Sequence, residues 1–236
     1  MGLLPPCPCC ATPPGAPPAG GAPAGAKRRP AWAQRLFATL TSWTDAGNER
    51  LLGDRKRALL SGLSGDVVEL GPGTGANLHH FGPGVHWTGV EPNPYMHPHL
   101  RQRAEQLGLR LDLRVGTAEH TGLPDGSADA VVATLVLCSV EDVPGALAEV
   151  RRLLRPGGRF VFLEHVAAPE GTTLRRTQRL VQPLWSIIAD GCHPDRETWA
   201  DLEGAGFAAL RYDRFRIETP APMAFTSPAI AGTAST

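Results

Sequence analysis

From residue 66 onward the chain repeats one texture: short, almost unbroken apolar runs separated by stretches with helical spacing. The runs fall at Val67–Leu70, Trp87–Val90, Leu111–Val115, Ala130–Val136 and Phe160–Val166, with Met96–Leu107 and Val143–Leu154 among the intervening stretches. A strand that is apolar at every position is buried on both faces, and a parallel sheet covered by helices on each side provides that burial. The alternation predicts a doubly wound α/β fold. Two further candidate strands, about 208–215 and 223–231, follow one another without a helix between them. They predict an antiparallel pair closing a mostly parallel seven-stranded sheet.

The first 65 residues read differently. Residues 1–30 hold 9 of the 23 prolines and three basic residues, Lys27, Arg28 and Arg29, with no acid. Proline fixes φ and removes backbone donors, so a disordered Pro/Ala/Gly tail is expected there. Leu36, Phe37, Leu40 and Trp43 lie on one face of a helical stretch from Trp32 to Trp43, and a second covers about Asn48–Leu63. Residues 31–65 are therefore expected to form helices that cover a site, and residues 66–236 the main domain. The Trp32–Trp43 face is expected to pack on that domain, since its polar side lacks the lysines of a membrane-surface helix.

The 23 basic and 23 acidic residues cancel, which argues against nucleic acid held by a general basic field. No run reaches the roughly 18 consecutive apolar residues that span a bilayer. The first residues lack the charged and apolar regions of a secretory signal, so a reducing, cytoplasmic setting is expected.

The segment Asp66-Val-Val-Glu-Leu-Gly71-Pro-Gly73-Thr-Gly75-Ala-Asn77 predicts a strand, a glycine-rich turn and a helix. Glycines there let backbone approach a ligand closely. With Ala76, and with Glu91 twenty residues beyond Gly71, the loop alone suits either NAD or S-adenosyl-L-methionine. Other residues favour the second. Glu69 is placed to face a methionine ammonium, and Glu91, ending the second strand beside Pro92, to accept both ribose hydroxyls. Ala118 and Glu119 follow the third strand, where an adenine edge would pass, and Leu135 lies near the end of the fourth. Leu153-Leu-Arg-Pro156-Gly157-Gly158 leads into the fifth strand.

This set resembles the class I S-adenosylmethionine-dependent methyltransferases of the type 11 kind, over roughly residues 66–231. Thr117 departs from the pattern, standing where many relatives carry an Asp for the adenine amino group. Within that superfamily the chain is most similar to the thiol S-methyltransferases. The similarity lies in Glu69–Asn77, Glu91–Pro94, Thr134-Leu-Val-Leu-Cys-Ser-Val140, Glu149–Gly158, Glu164-His165-Val166, Asp190-Gly-Cys192 and Arg196-Glu-Thr-Trp199. The resemblance implies a cofactor site at Glu69, Gly71, Gly73, Gly75, Glu91, Pro92, Ala118, Glu119 and Leu135. It also implies reaction-side residues at His165 and Asp190, and a small-molecule methyl acceptor, a thiol first. A phenol or quinone-like acceptor, or a non-catalytic binding module, are the alternatives. The family's hydrophobic N-terminal anchor has no counterpart in the Pro/Ala/Gly stretch, so membrane contact is not supported there.

Cys7, Cys9 and Cys10 lack neighbouring Cys or His partners, so no metal site is expected. Cys138 reads as a packing residue, and Cys192 as part of a turn. His79, His80, His97 and His99 read as surface or packing residues. A neutral His165 at the carboxyl edge of the sheet is placed to take a proton from a thiol. A thiol ionises near pH 8.5, so no strong base is obligatory.

Overall fold

The computed structural model describes residues 29–236; the tail expected over residues 1–30 lies outside that range except for Arg29 and Pro30. Seven strands form one sheet: β1 (Gly65–Leu70), β2 (Val85–Val90), β3 (Asp112–Arg114), β4 (Ala128–Thr134), β5 (Leu154–His165), β6 (Ala209–Arg216) and β7 (Pro228–Ser235). Their order is β3-β2-β1-β4-β5-β7-β6, with β7 antiparallel to both neighbours. The doubly wound sheet with a late antiparallel pair is as the sequence predicts.

Strand alternation sends successive side chains to opposite faces. Val131, Ala133, Phe160 and Phe162 pack with α3 (Val143–Leu153) through Ala146, Leu147 and Val150. Ala130, Val132 and Val161 turn the other way, towards Leu60 of the first helix. Leu163 and Ala229 meet Leu52 of the same helix. α2 (His97–Gln106) adds Leu100 and Ala104 to Trp87 and Leu78. The register sets Leu70 against Val90, and Thr134 against Leu163. The strand order reverses between β1 and β4, and open α/β sheets bind ligands at the carboxyl ends of the strands at such a switch point.

Four expectations need correction. The two N-terminal helices are one, α1 (Ala31–Leu60), unbroken through Gly47. A glycine costs a helix only about 1 kcal/mol. Here buried Asp45 is tied to Thr74 Oγ1 at 2.6 Å and to Arg103 at 3.1 Å, which holds that stretch against the domain. The buried face of α1 runs through Ala33, Ala38, Asp45 and Leu52, leaving Trp32 and Trp43 exposed rather than packed. Tight approach to the domain selects alanines there.

No α-helix follows the glycine loop, only turns and a 3-10 turn at Leu78–His80. Finally, the last strand begins at Pro228 because Ala221–Thr226 forms a 3-10 turn.

α4 (Thr173–Ile188) was not foreseen as a helix. It is held by polar contacts rather than an apolar stripe: the Gln178 amide donates to the carbonyls of Val166, Pro194 and Phe225 and accepts from the Ala168 amide. Leu180, Leu184 and Ile187 face outward. α5 (Thr198–Gly204) completes the order. Among the described residues no helix is long and apolar enough to cross a membrane.

Candidate functional site

The loop after β1 is shaped by backbone that only glycine adopts easily. Gly71 has φ +55° and a Cβ there would meet Val136 Cγ2 at 2.8 Å, so the loop lies directly on the loop after β4. Gly73 has φ +57°, yet a Cβ would meet nothing within 4 Å: the space beside it is open. Gly75 lies at the base of the turn, packed on Leu78 and Leu100. With no α-helix beginning here, a ligand would be met by loop amides rather than by a helix terminus.

Glu91, directly after β2, is buried and faces this loop. Its Oε2 accepts from the Gly73 amide at 2.9 Å, and Oε1 from the Asn93 amide at 2.8 Å. Burial pushes its carboxyl up to about 7 against the pull of those two amides. Each oxygen keeps a further lone pair. Pro92 beside it is exposed.

Asn93 also links Glu91 to Asp190, donating to Asp190 Oδ2 at 3.1 Å and to the Gln34 carbonyl. Asp190 sits at φ +45°, uncommon for a non-glycine residue, in the turn after α4. Arg29 donates to its Oδ1 at 2.9 Å and to the Ser139 carbonyl at 2.8 Å. The arginine just before α1 therefore straps that helix across Asp190 and the β4 loop. Sequence placed Arg29 in the tail, and no local pattern marks it as a site residue. Asn93 lies in the matching segment Glu91–Pro94 but was given no role of its own.

Glu69 and Glu164 are likewise buried and bonded to other parts of the fold. Glu69 accepts from Asn77 Nδ2 and Trp87 Nε1, each at 2.8 Å, and burial raises its pKa. It shapes the loop rather than projecting a free carboxylate. Glu164 accepts from the amides of Val136, Leu137 and Cys138 at 3.0–3.2 Å, with burial pushing it up to about 7. These three amides fix the β4 loop just after Leu135, whose φ of +59° turns the chain out of the strand.

Ala118 is buried, and the hydroxyl of Thr117 next to it is buried without a partner. Glu119 Oε1 accepts from the amides of Glu141 and Asp142, so it anchors the start of α3. His165 ends β5 opposite Ala229. Desolvation pushes its imidazole down to about 4, opposed only by the Thr226 backbone, and Nδ1 is buried without a partner. It is a neutral ring with no carboxylate partner, outside the hydrogen-bonded chain that joins Glu91, Asn93 and Asp190.

Clefts of about 220 and 310 Å³ run along the seam between α1 and residues 94–106, one lined by Thr74 and Asp45, the other by Ala38 and Tyr95. Glu49 holds α1 to the turn beyond the loop, its Oε1 lying 2.8 Å from His80 Nε2 and 3.1 Å from His79 Nε2. This is the one cluster of three potential metal ligands among the described residues, and the buried ammonium of Lys56 already lies 3.5 Å from the same carboxylate.

The open space beside Gly73, the doubly lone-paired Glu91 and the orphan Thr117 hydroxyl fit a nucleoside carrying a diol and an exocyclic amine. A family model described as a methyltransferase domain matches residues 68–162. A geranyl diphosphate methyltransferase in complex with GPP and sinefungin shares the fold at a TM-score of 0.62, 18% identical, over 78% of each chain. Fold and site together define an S-adenosylmethionine-dependent methyltransferase of class I.

The chain is 42% identical to the human protein named thiol S-methyltransferase TMT1B over 190 residues, 76% of each chain. It is 39% identical to human thiol S-methyltransferase TMT1A over 204 residues, 82% of each. It belongs to the thiol S-methyltransferase family.

Proposed function

We propose that this protein transfers the methyl group of S-adenosylmethionine to the sulfur of a small neutral thiol. The relatives' names motivate the substrate class, and one observation in the site carries it. On the reaction side, no strong base stands among the described residues. Glu164 is occupied by three amides, and His165 is a weak base held near pKa 4. An acceptor that ionises by itself near pH 8.5 suits such a site, whereas a phenol or carbon acid needs firmer help.

When bound, S-adenosylmethionine supplies an electrophilic methyl on a cationic sulfur. The backbone of Gly71, Gly73 and Gly75 forms the floor on which it would lie, and Glu91 the acceptor for its ribose hydroxyls. Glu69 acts through Asn77 by fixing the loop. Pro92, Ala118, Glu119 and Leu135 complete the walls. α1, strapped by Arg29, closes the crevice and excludes water. Asp190 fixes that closure and faces the acceptor side with His165, whose neutral ring can receive a thiol proton transiently. Holding acceptor and donor in line supplies most of the rate. A reducing, cytoplasmic setting fits this chemistry, because a thiol acceptor must stay reduced to be methylated.

The test is a panel of thiols, phenols and quinols with isotopically labelled donor. Methylated thiols are expected. Product from phenols or quinols alone would move the acceptor to oxygen or carbon, and donor binding without any product would make the protein a binding module.

A further inference from the structure

Two cysteines stand where the loops of the site meet. Cys138 lies in the loop after β4 and Cys192 in the turn after α4, two residues beyond Asp190. Their sulfurs are 3.6 Å apart. Both are buried, at 1% and 7% exposure, packed with Ala189 against Phe37 of α1 and Trp185 of α4. Backbone on each side is fixed: the Cys138 amide donates to Glu164, its carbonyl accepts from His193 at 2.8 Å, and the Cys192 amide donates to the Ala189 carbonyl at 3.0 Å. The sulfurs are thus in contact between two anchored segments, and side-chain rotation need close only about 1.5 Å to reach bonding distance.

We propose that Cys138 and Cys192 are a reversible modification site, converted by hydrogen peroxide into a disulfide that staples the β4 loop to the α4–α5 turn. The inference rests on the placement of these two sulfurs and not on the acceptor proposed above. Cys192 attacks first: a sulfur–oxygen bond forms at the peroxide, the oxygen–oxygen bond breaks and water leaves. Cys138 then attacks the Cys192 sulfur, the sulfur–oxygen bond breaks and a second water leaves. Two thiols are oxidised and one peroxide is reduced.

The order follows from the surroundings. Cys192 is the more exposed of the two, and its thiolate is favoured by the Cys138 thiol and Arg196. The indole N–H of Trp185, packed beside Cys192, acts in the same direction. Cys138 is pushed up by that same contact and by burial beside Glu164. Joining the loops would fix the spacing between Asp190 and Leu135 across the candidate site.

The test uses the full chain carrying Cys7→Ser, Cys9→Ser and Cys10→Ser, so that Cys138 and Cys192 are its only thiols. After hydrogen peroxide, titratable thiol is expected to fall to zero, with the mass of two hydrogens lost. A peptide linking Cys138 to Cys192 should appear and vanish with dithiothreitol. Two persisting thiols, or sulfinic acid on separate peptides without the link, would overturn the proposal. Both readouts are independent of methyl transfer.

Discussion

The amide of Gly73 donates to Glu91 Oε2 across 2.9 Å, so the glycine loop and the end of β2 are joined through a buried carboxylate. In the proposed function that carboxylate is the acceptor for the ribose diol. Glu91→Ala removes charge-assisted acceptors worth about 1.5–3 kcal/mol, so affinity for S-adenosylmethionine should weaken at least tenfold by calorimetry. Unchanged affinity would place the ribose elsewhere.

The same residue sets a pH dependence. With its carboxyl near 7 in the free protein, Glu91 is largely protonated at pH 6, while donated hydroxyls favour the ionised form. Donor affinity should therefore rise roughly tenfold from pH 6 to pH 8, a loss of about one unit's worth of binding on acidification. Glu91→Gln should remove that slope. A slope that survives in the variant belongs to the ligand.

Gly71 and Gly73 separate fold from binding. Both have φ near +55°, but only at Gly71 would a Cβ strike protein, Val136 at 2.8 Å. Gly71→Ala should lower the melting temperature by several degrees through the roughly 1–3 kcal/mol of strain and clash. Gly73→Ala should cost about 1 kcal/mol of stability but reduce donor affinity far more, because its methyl enters open space. Equal losses in both variants would mean that no ligand lies beside Gly73.

Arg29 tests the closure of α1. Its pair with Asp190 is partly exposed and so contributes under about 1 kcal/mol. Arg29→Ala should leave the melting temperature nearly unchanged while hydrogen exchange quickens over the first turns of α1. Removing residues 1–30 should reproduce that effect. Unaltered exchange would show that packing at Ala33 and Ala38 holds the helix by itself.

His165 is distinguished by comparing acceptors. If its neutral ring only relays a proton, His165→Ala should cost little with an acidic thiol and about tenfold or more with a basic one. The turnover-versus-pH curve should follow the acceptor's own pKa. An equal loss for every thiol would assign His165 to packing.

The sheet was legible because its evidence is local. Val67–Leu70 and Phe160–Val166 announce buried strands by their own composition, and Gly71, Gly73 and Glu91 carry their spacing in the chain. α4 was not, because its outward Leu180, Leu184 and Ile187 mimic no buried stripe and its hold on the domain rests on scattered side chains such as Arg175, Gln178 and Trp185, whose partners are distant in sequence. The continuity of α1 through Gly47 likewise depends on Asp45 meeting Thr74, 29 residues away.

The sequence by itself determined the fold class, the cofactor loop and the family, since strand periodicity and motif spacing are properties of neighbours along the chain. Only the tertiary structure decided what each of the site's carboxylates holds. Glu69 holds Asn77 and Trp87, Glu119 the start of α3 and Glu164 the β4 loop, whereas Glu91 holds the Gly73 and Asn93 amides beside the open space at Gly73. It also brought Arg29 to Asp190 across 161 residues of chain and set Cys138 against Cys192. Hydrogen bonds and sulfur contacts act over about 3–4 Å of space, and no spacing rule encodes which distant residue fills that distance.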